Sequence, residues 1–159
     1  MQQPADWLGD ADRIAELGRR LAGAAVPVDR LAFYRRTLHP GVLARATAWA
    51  PKCPIEIFDR EHGLDLSLGF MGSPLDLVMA GGGALTLDMR EIERTAWGWA
   101  DPFRGSGLRS MLVAPAGPGA ALAVATARES GFGEDDLTLI GRLSDGLAKQ
   151  AKRRKPISQ

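Results

Sequence analysis

The chain has 159 residues, 45% of them hydrophobic and 25% charged, with a formal net charge of +1. That length suits one domain with a sizeable core, and the balanced charge gives no overall pull toward nucleic acid or an acidic membrane. No apolar run approaches the roughly 20 residues of a bilayer span, and the opening MQQPADWLGDADR lacks the basic-then-apolar order of a signal peptide. Cys53 is the only cysteine, which excludes an internal disulfide and a cysteine-rich zinc site. A cytoplasmic protein is expected, and the initiating Met1 with a polar tail suits a complete chain.

Taken in order, Asp10 to Ala25 reads as a helix. Ile14, Leu17 and Leu21 recur at helical spacing, Asp10 or Asp12 caps the start, and Gly23 and Pro27 mark the end. Trp7 stands just ahead of it as a hydrophobic clasp. Arg30 to Leu38 alternates with period two and reads as a strand, stopped by His39-Pro40-Gly41. Ala44 to Ala50 (ARATAWA) reads as a second strand with Thr47 and Trp49 on one face. Ile55 to Asp59 (IEIFD) is a third, with Phe58 on the face opposite Ile55 and Ile57, followed by a polar turn at Arg60-Glu61-His62-Gly63.

Leu64 to Met71 has no clear period. Ser73-Pro74 is a serine cap with proline at the first helical position, predicting a short helix from Pro74 to Met79 that Gly81-Gly82-Gly83 ends. Ala84 to Asp88 is one more short strand. Glu91 to Asp101 is a second short helix or an irregular lid, weakened as a helix by Gly98. Ser110 to Pro115 (SMLVAP) and Ala120 to Ala127 (AALAVATA) pair as a hairpin across the AGPG turn. Gly133-Glu134-Asp135-Asp136 opens a closing helix with a stripe at Leu137, Ile140, Leu143 and Leu147, acidic at its start and basic at its end. Clustered strands with inserted short helices predict an α+β fold. It has an antiparallel sheet, terminal helices on one face and a loop and short-helix cover on the other. The domain is expected over residues 10–151, between an N-terminal extension (1–9) and a basic polar tail (152–159).

VPVDRLAFYRRTLHPGV (Val26 to Val42) resembles the segment after the first helix in the GAF-like N-terminal sensory region of proteobacterial class III adenylate cyclases. Ser73-Pro74-Leu75 resembles their next helix start. Gly131-Phe132-Gly133-Glu134-Asp135-Asp136-Leu137 resembles the common ending of GAF domains. The resemblance runs over most of the chain, roughly Asp10 to Lys149, and implies a GAF-like fold. The catalytic domain that follows in those cyclases has no counterpart before Gln159. What is implied is therefore a stand-alone, non-catalytic bacterial sensory or signalling domain.

Such domains bind small molecules between sheet and cover. The candidate ligand-binding residues are Trp49, Phe70, Met71, Met79, Trp97, Trp99, Phe103, Arg109 and Met111. Asp88, Asp101 and Arg104 are further polar candidates, since pockets of this kind are apolar with a few polar groups. The opposing reading is that these aromatics are ordinary core and lid packing. The cofactor is unspecified, and the partner is open between a small molecule and a protein.

His39 and His62 have only Cys53, Asp59, Glu61 and Asp65 nearby, and read as solvated turns rather than metal ligands. Cys53, followed by Pro54, lacks the His beside it that marks bilin attachment, and one thiol cannot run a disulfide cycle. Gly81-Gly82-Gly83 follows a helix and lacks the Lys-Ser/Thr ending of a phosphate loop. Lys149 to Lys155 has no interleaved aromatic and reads as a solvated helix end, not a dedicated nucleic-acid site. A homodimer is expected through the terminal helices, with Ile14, Leu17 and Leu21 facing Leu139, Leu143 and Leu147. The alternative function is a ligand-free protein-interaction or scaffold domain.

Overall fold

The computed structural model describes residues 4–36, 42–61, 72–95, 97–104 and 107–153. Strands β1 (Arg30–Arg36), β2 (Val42–Trp49), β3 (Glu56–Glu61), β4 (Leu85–Asp88), β5 (Ser110–Pro115) and β6 (Ala120–Thr126) form one sheet in the order β3-β2-β1-β6-β5-β4. Every neighbouring pair is antiparallel. The helices are α1 (Pro4–Gly23), α2 (Pro74–Met79), α3 (Met89–Ile92) and α4 (Glu134–Arg153), with a 3-10 turn over Gly98–Phe103. This is the α+β arrangement expected.

Period-two alternation divides the chain's apolar residues between the two faces of the sheet. Leu31, Phe33, Leu112, Leu122 and Val124 point to one side, where Ile14, Leu17 and Leu21 of α1 and Ile140 of α4 cover them. Ala32, Tyr34, Ala46, Ala48, Met111, Val113, Ala121, Ala123 and Ala125 point to the other. There the cover comes from Leu75, Val78 and Met79 of α2, Met89 and Ile92 of α3, and Trp99 and Phe103 of the 3-10 turn. Terminal helices and short-helix cover thus lie on opposite faces.

Polar contacts fasten the terminal helices. Asp10, almost fully buried on α1, accepts from Arg35 Nε at 2.9 Å and from a terminal nitrogen of Arg35 at 2.8 Å, and Arg13 joins it at 3.1 Å. Arg35 also lies over the Phe33 ring, 5.3 Å from its centroid. The Ser144 hydroxyl of α4 donates to the Pro115 carbonyl at 2.6 Å, fixing the helix on the end of β5.

Some boundaries differ from expectation. α1 begins at Pro4, so Trp7 lies within the helix rather than ahead of it; proline at the first helical position is a start signal that the apolar stripe alone does not contain. β3 continues through Arg60 and Glu61, which were expected to turn, because they pair with Ala44 and Val42 on β2. The expected lid helix splits into α3 and the 3-10 turn. Asp88 caps the first by accepting from the Arg90 backbone N–H at 2.8 Å. α2 matches its expected bounds, with the Ser73 hydroxyl accepting from Asp76 N. Gly82 N then donates to Leu77 O at 2.8 Å beside Gly81 at φ 111°, which ends the helix as expected.

Candidate functional site

The face opposite α1 and α4 has a floor of small side chains. Three successive rows across the sheet set it out. Arg30, Ala125, Met111 and Leu87 form the first row. Ala48, Ala32, Ala123 and Val113 form the second, and Ala46, Tyr34 and Ala121 the third. Six of these are buried alanines: Ala32, Ala46, Ala48, Ala121, Ala123 and Ala125. On the α1 and α4 face the same strands present Leu, Phe and Val instead. A floor of alanines leaves depth that close packing must fill from above.

Trp99 supplies much of that filling. It is 0% exposed. Its ring meets Tyr34 edge-on at 6.1 Å and an interplanar angle of 88°. Trp97 stacks on it at 5.8 Å and 16°. The Tyr34 hydroxyl donates to the Trp99 carbonyl at 2.8 Å, so the strand holds the cover directly. Arg104 braces the same segment by donating to Ile92 O and Trp97 O, each at 2.8 Å, and to Thr95 Oγ1 at 3.3 Å.

Met79, Trp97, Trp99, Phe103 and Met111 are brought together on this face. Trp49 is not: it packs with the opposite cluster, against α1, where Gly18 makes room for its ring. Strand parity decides this, because Trp49 alternates with Ala48 and so points away from the alanine floor. Arg109 is exposed, and its backbone bonds Thr126 O and Met89 N. Phe70 and Met71 lie outside the described residues, as do His39 and His62. Asp88 is the α3 cap and pairs with Arg90 at 3.0 Å; that side-chain hydrogen bond, with the one from the Arg90 backbone, holds its carboxyl below the usual range. Asp101 lies in the 3-10 turn.

Arg30 and Tyr34 were not among the candidates. Arg30 shares the parity of Ala32 and Tyr34, and a terminal nitrogen of its guanidinium reaches Glu56 Oε1 at 3.4 Å. Its position at a strand start reads as surface in the sequence, whereas its parity with Ala32 places it on the floor. Among the described residues, no group of three or more His, Cys, Asp or Glu side chains is gathered as a metal site. Cys53 is exposed on the β2–β3 turn.

The other face holds an open groove of about 380 Å³ between α1 and α4, bordered by Leu17, Leu143 and Leu147 and by the charged Asp12, Glu16 and Arg142. Ile14 and Leu21 are 0% exposed against the chain's own sheet, so the seam expected through them is already occupied within the chain. No helix among the described residues is long and apolar enough to cross a membrane.

No protein-family profile matches the sequence, and no curated protein does. Solved structures do match by fold. The GAF domain of a two-component sensor histidine kinase from Bacillus halodurans aligns with a TM-score of 0.62 at 17% identity, over 89% of this chain and 92% of that one. A red/green cyanobacteriochrome in its red light-absorbing state gives 0.57 at 14% identity, over 94% and 99%. A far-red cyanobacteriochrome photoreceptor gives 0.50 at 14% identity, over 81% and 79%. The chain has the fold of GAF domains.

Proposed function

We propose that this domain is a non-catalytic sensory module that binds a small molecule between the alanine floor and its tryptophan cover. The observation that carries this is the asymmetry of one sheet. Its α1 and α4 face is filled by large side chains from both sides. Its other face offers alanines to a cover of short, separate segments. A floor of small side chains under a jointed roof is suited to an apolar ligand site with few polar groups.

Strands β1, β5 and β6 border both faces. A ligand that favours one arrangement of the cover would shift those strands against α1 and α4, provided it binds two conformations unequally. Ser144 on Pro115 and Asp136 on Arg128, at 2.9 Å, are the contacts through which α4 would follow β5 and the end of β6. The regulated partner would then be met on the helical face, either as a second copy across the α1/α4 groove or as another protein. The Val26 to Val42 phrase supports kinship with the sensory regions of bacterial class III adenylate cyclases, and so a cytoplasmic signalling role.

Ligand-dependent melting tests the reading. A bound metabolite at one hundred times its Kd stabilises the fold by about 2.7 kcal/mol, which a thermal scan reads as a raised Tm. A second reading, a ligand-free interaction domain, is favoured by one observation: the chain's own packing already leaves Trp99, Phe103 and Met111 no more than 1% exposed. That domain would show partner-dependent melting and no metabolite dependence.

A further inference from the structure

Among the described residues, two buried side-chain polar atoms have no hydrogen-bond partner: Arg30 Nε and Trp99 Nε1. Both are N–H donors, and no side-chain acceptor in this set is left in the same condition. Both lie on the alanine-floored face, Trp99 in its cover and Arg30 in its first row. A buried unpaired donor is costly, so the imbalance has a sign: this face is short of acceptors. A water molecule supplies an acceptor but adds two donors that need acceptors in turn. An anion supplies acceptors alone.

Arg30 is held loosely for a half-buried arginine. Its side chain is 22% exposed, and its carboxylate partner among the described residues, Glu56, is 55% exposed and 3.4 Å away. That distance is beyond the usual range of a charge-assisted bond. Nε and a neighbouring terminal nitrogen of a guanidinium form a planar fork that matches the paired oxygens of a carboxylate or phosphate. Glu56 engages only a terminal nitrogen, which leaves the fork half used.

Building on the small-molecule reading above, we propose that the ligand is an organic anion. Its carboxylate or phosphate sits on Arg30, and an acceptor atom elsewhere in it faces Trp99 Nε1. Tyr34, against which Trp99 lies, is two rows from Arg30 along β1, with Ala32 between them. At the rise of an extended strand the main chain at Arg30 and at Tyr34 stands roughly 13 Å apart, so the two donors are approached from different rows of the floor, which calls for an organic molecule with two separate acceptor groups rather than a lone inorganic ion. Glu56 is the internal counter-ion that the ligand's head group displaces.

The test follows the arginine Nε–H and indole N–H resonances of the full, nitrogen-15-labelled chain. Spectra of Arg30→Met and Trp99→Phe assign them. The probes are 4′-acetylbiphenyl-4-carboxylate, 4′-acetylbiphenyl-4-yl phosphate and neutral 4-acetylbiphenyl, each with a ketone oxygen at the far end. At least one acid is expected to move both resonances and to saturate at a concentration about tenfold below that of 4-acetylbiphenyl. Whichever acid saturates first identifies the head group. Arg30→Met is expected to bring the acids to the level of 4-acetylbiphenyl, and Glu56→Gln to tighten them. Equal binding of acids and 4-acetylbiphenyl, or an acid preference that survives Arg30→Met, overturns anion recognition while the small-molecule site stands. Failure of every probe to move either resonance overturns the site on this face, and the anion with it.

Discussion

The Tyr34 hydroxyl reaches from the sheet to the main-chain carbonyl of Trp99 at 2.8 Å, while the two rings meet edge-on at 6.1 Å. One side chain of β1 therefore sets both the height and the tilt of the tryptophan cover. Tyr34→Phe keeps the ring contact and removes the hydroxyl's hydrogen bond to a buried carbonyl. The expected loss is about 1–3 kcal/mol of unfolding free energy. Denaturant melts measure it, and near-UV circular dichroism is expected to lose intensity from the Trp97–Trp99 stack. An unchanged near-UV spectrum would mean that the cover is held elsewhere.

On the opposite face the tight contact is between Gly18 and Trp49. A Cβ built on Gly18 would overlap the Trp49 ring. Alanine normally favours a helix over glycine by about 1 kcal/mol, but overpacking costs about 1–3 kcal/mol. Gly18→Ala is therefore expected to destabilise. Gly141→Ala on α4, where a Cβ meets nothing within 4 Å, is expected to stabilise by up to about 1 kcal/mol. Thermal melts of the two variants should move in opposite directions.

Much of this was legible in the sequence because local signals and tertiary needs agree. Ser73-Pro74 starts α2 where cap chemistry places it, and the SMLVAP and AALAVATA runs pair as β5 and β6. The site was less legible. Aromatic residues drew attention to Trp49, yet its parity with Thr47 sends it to α1. The informative signal was the alanines at every second position of ARATAWA and AALAVATA, which mark a face that something else must fill. Arg30 and Tyr34 belong to that face through strand parity, whereas Trp99 reaches it by a contact from residue 99 back to residue 34, which no local pattern encodes.

Asp10 joins α1 to β1 through two hydrogen bonds from Arg35. Arg35 is 36% exposed, which lets solvent screen part of the pair. Asp10→Ala is expected to cost about 2 kcal/mol, the scale of hydrogen bonds to a charged group. A double-mutant cycle with Arg35→Ala should return a clear coupling energy. Strict additivity would show that the pair does not hold the helix.

Acid should act selectively at Asp88. Its carboxyl is lowered first by the Arg90 side-chain hydrogen bond and then by the one from the Arg90 backbone. A lowered folded pKa stabilises the ionised, folded state. The contribution is complete above the unfolded value of about 4 and is lost as pH falls through the lowered value. Asp88→Asn keeps a capping acceptor and removes the charge. The Tm gap between the two proteins is expected to be open at about pH 6 and to narrow as the pH falls below about 4. A gap that persists unchanged into strong acid contradicts an ionic origin.

The central claim is that the alanine-floored face holds a small molecule. Native mass spectrometry of the protein purified from its own host, beside a denaturing spectrum of the same sample, tests it most directly. The account expects a native mass that exceeds the denatured mass by one small organic acid. Identical masses in both spectra, with melting unmoved by metabolites, would contradict it and leave the face as packed core.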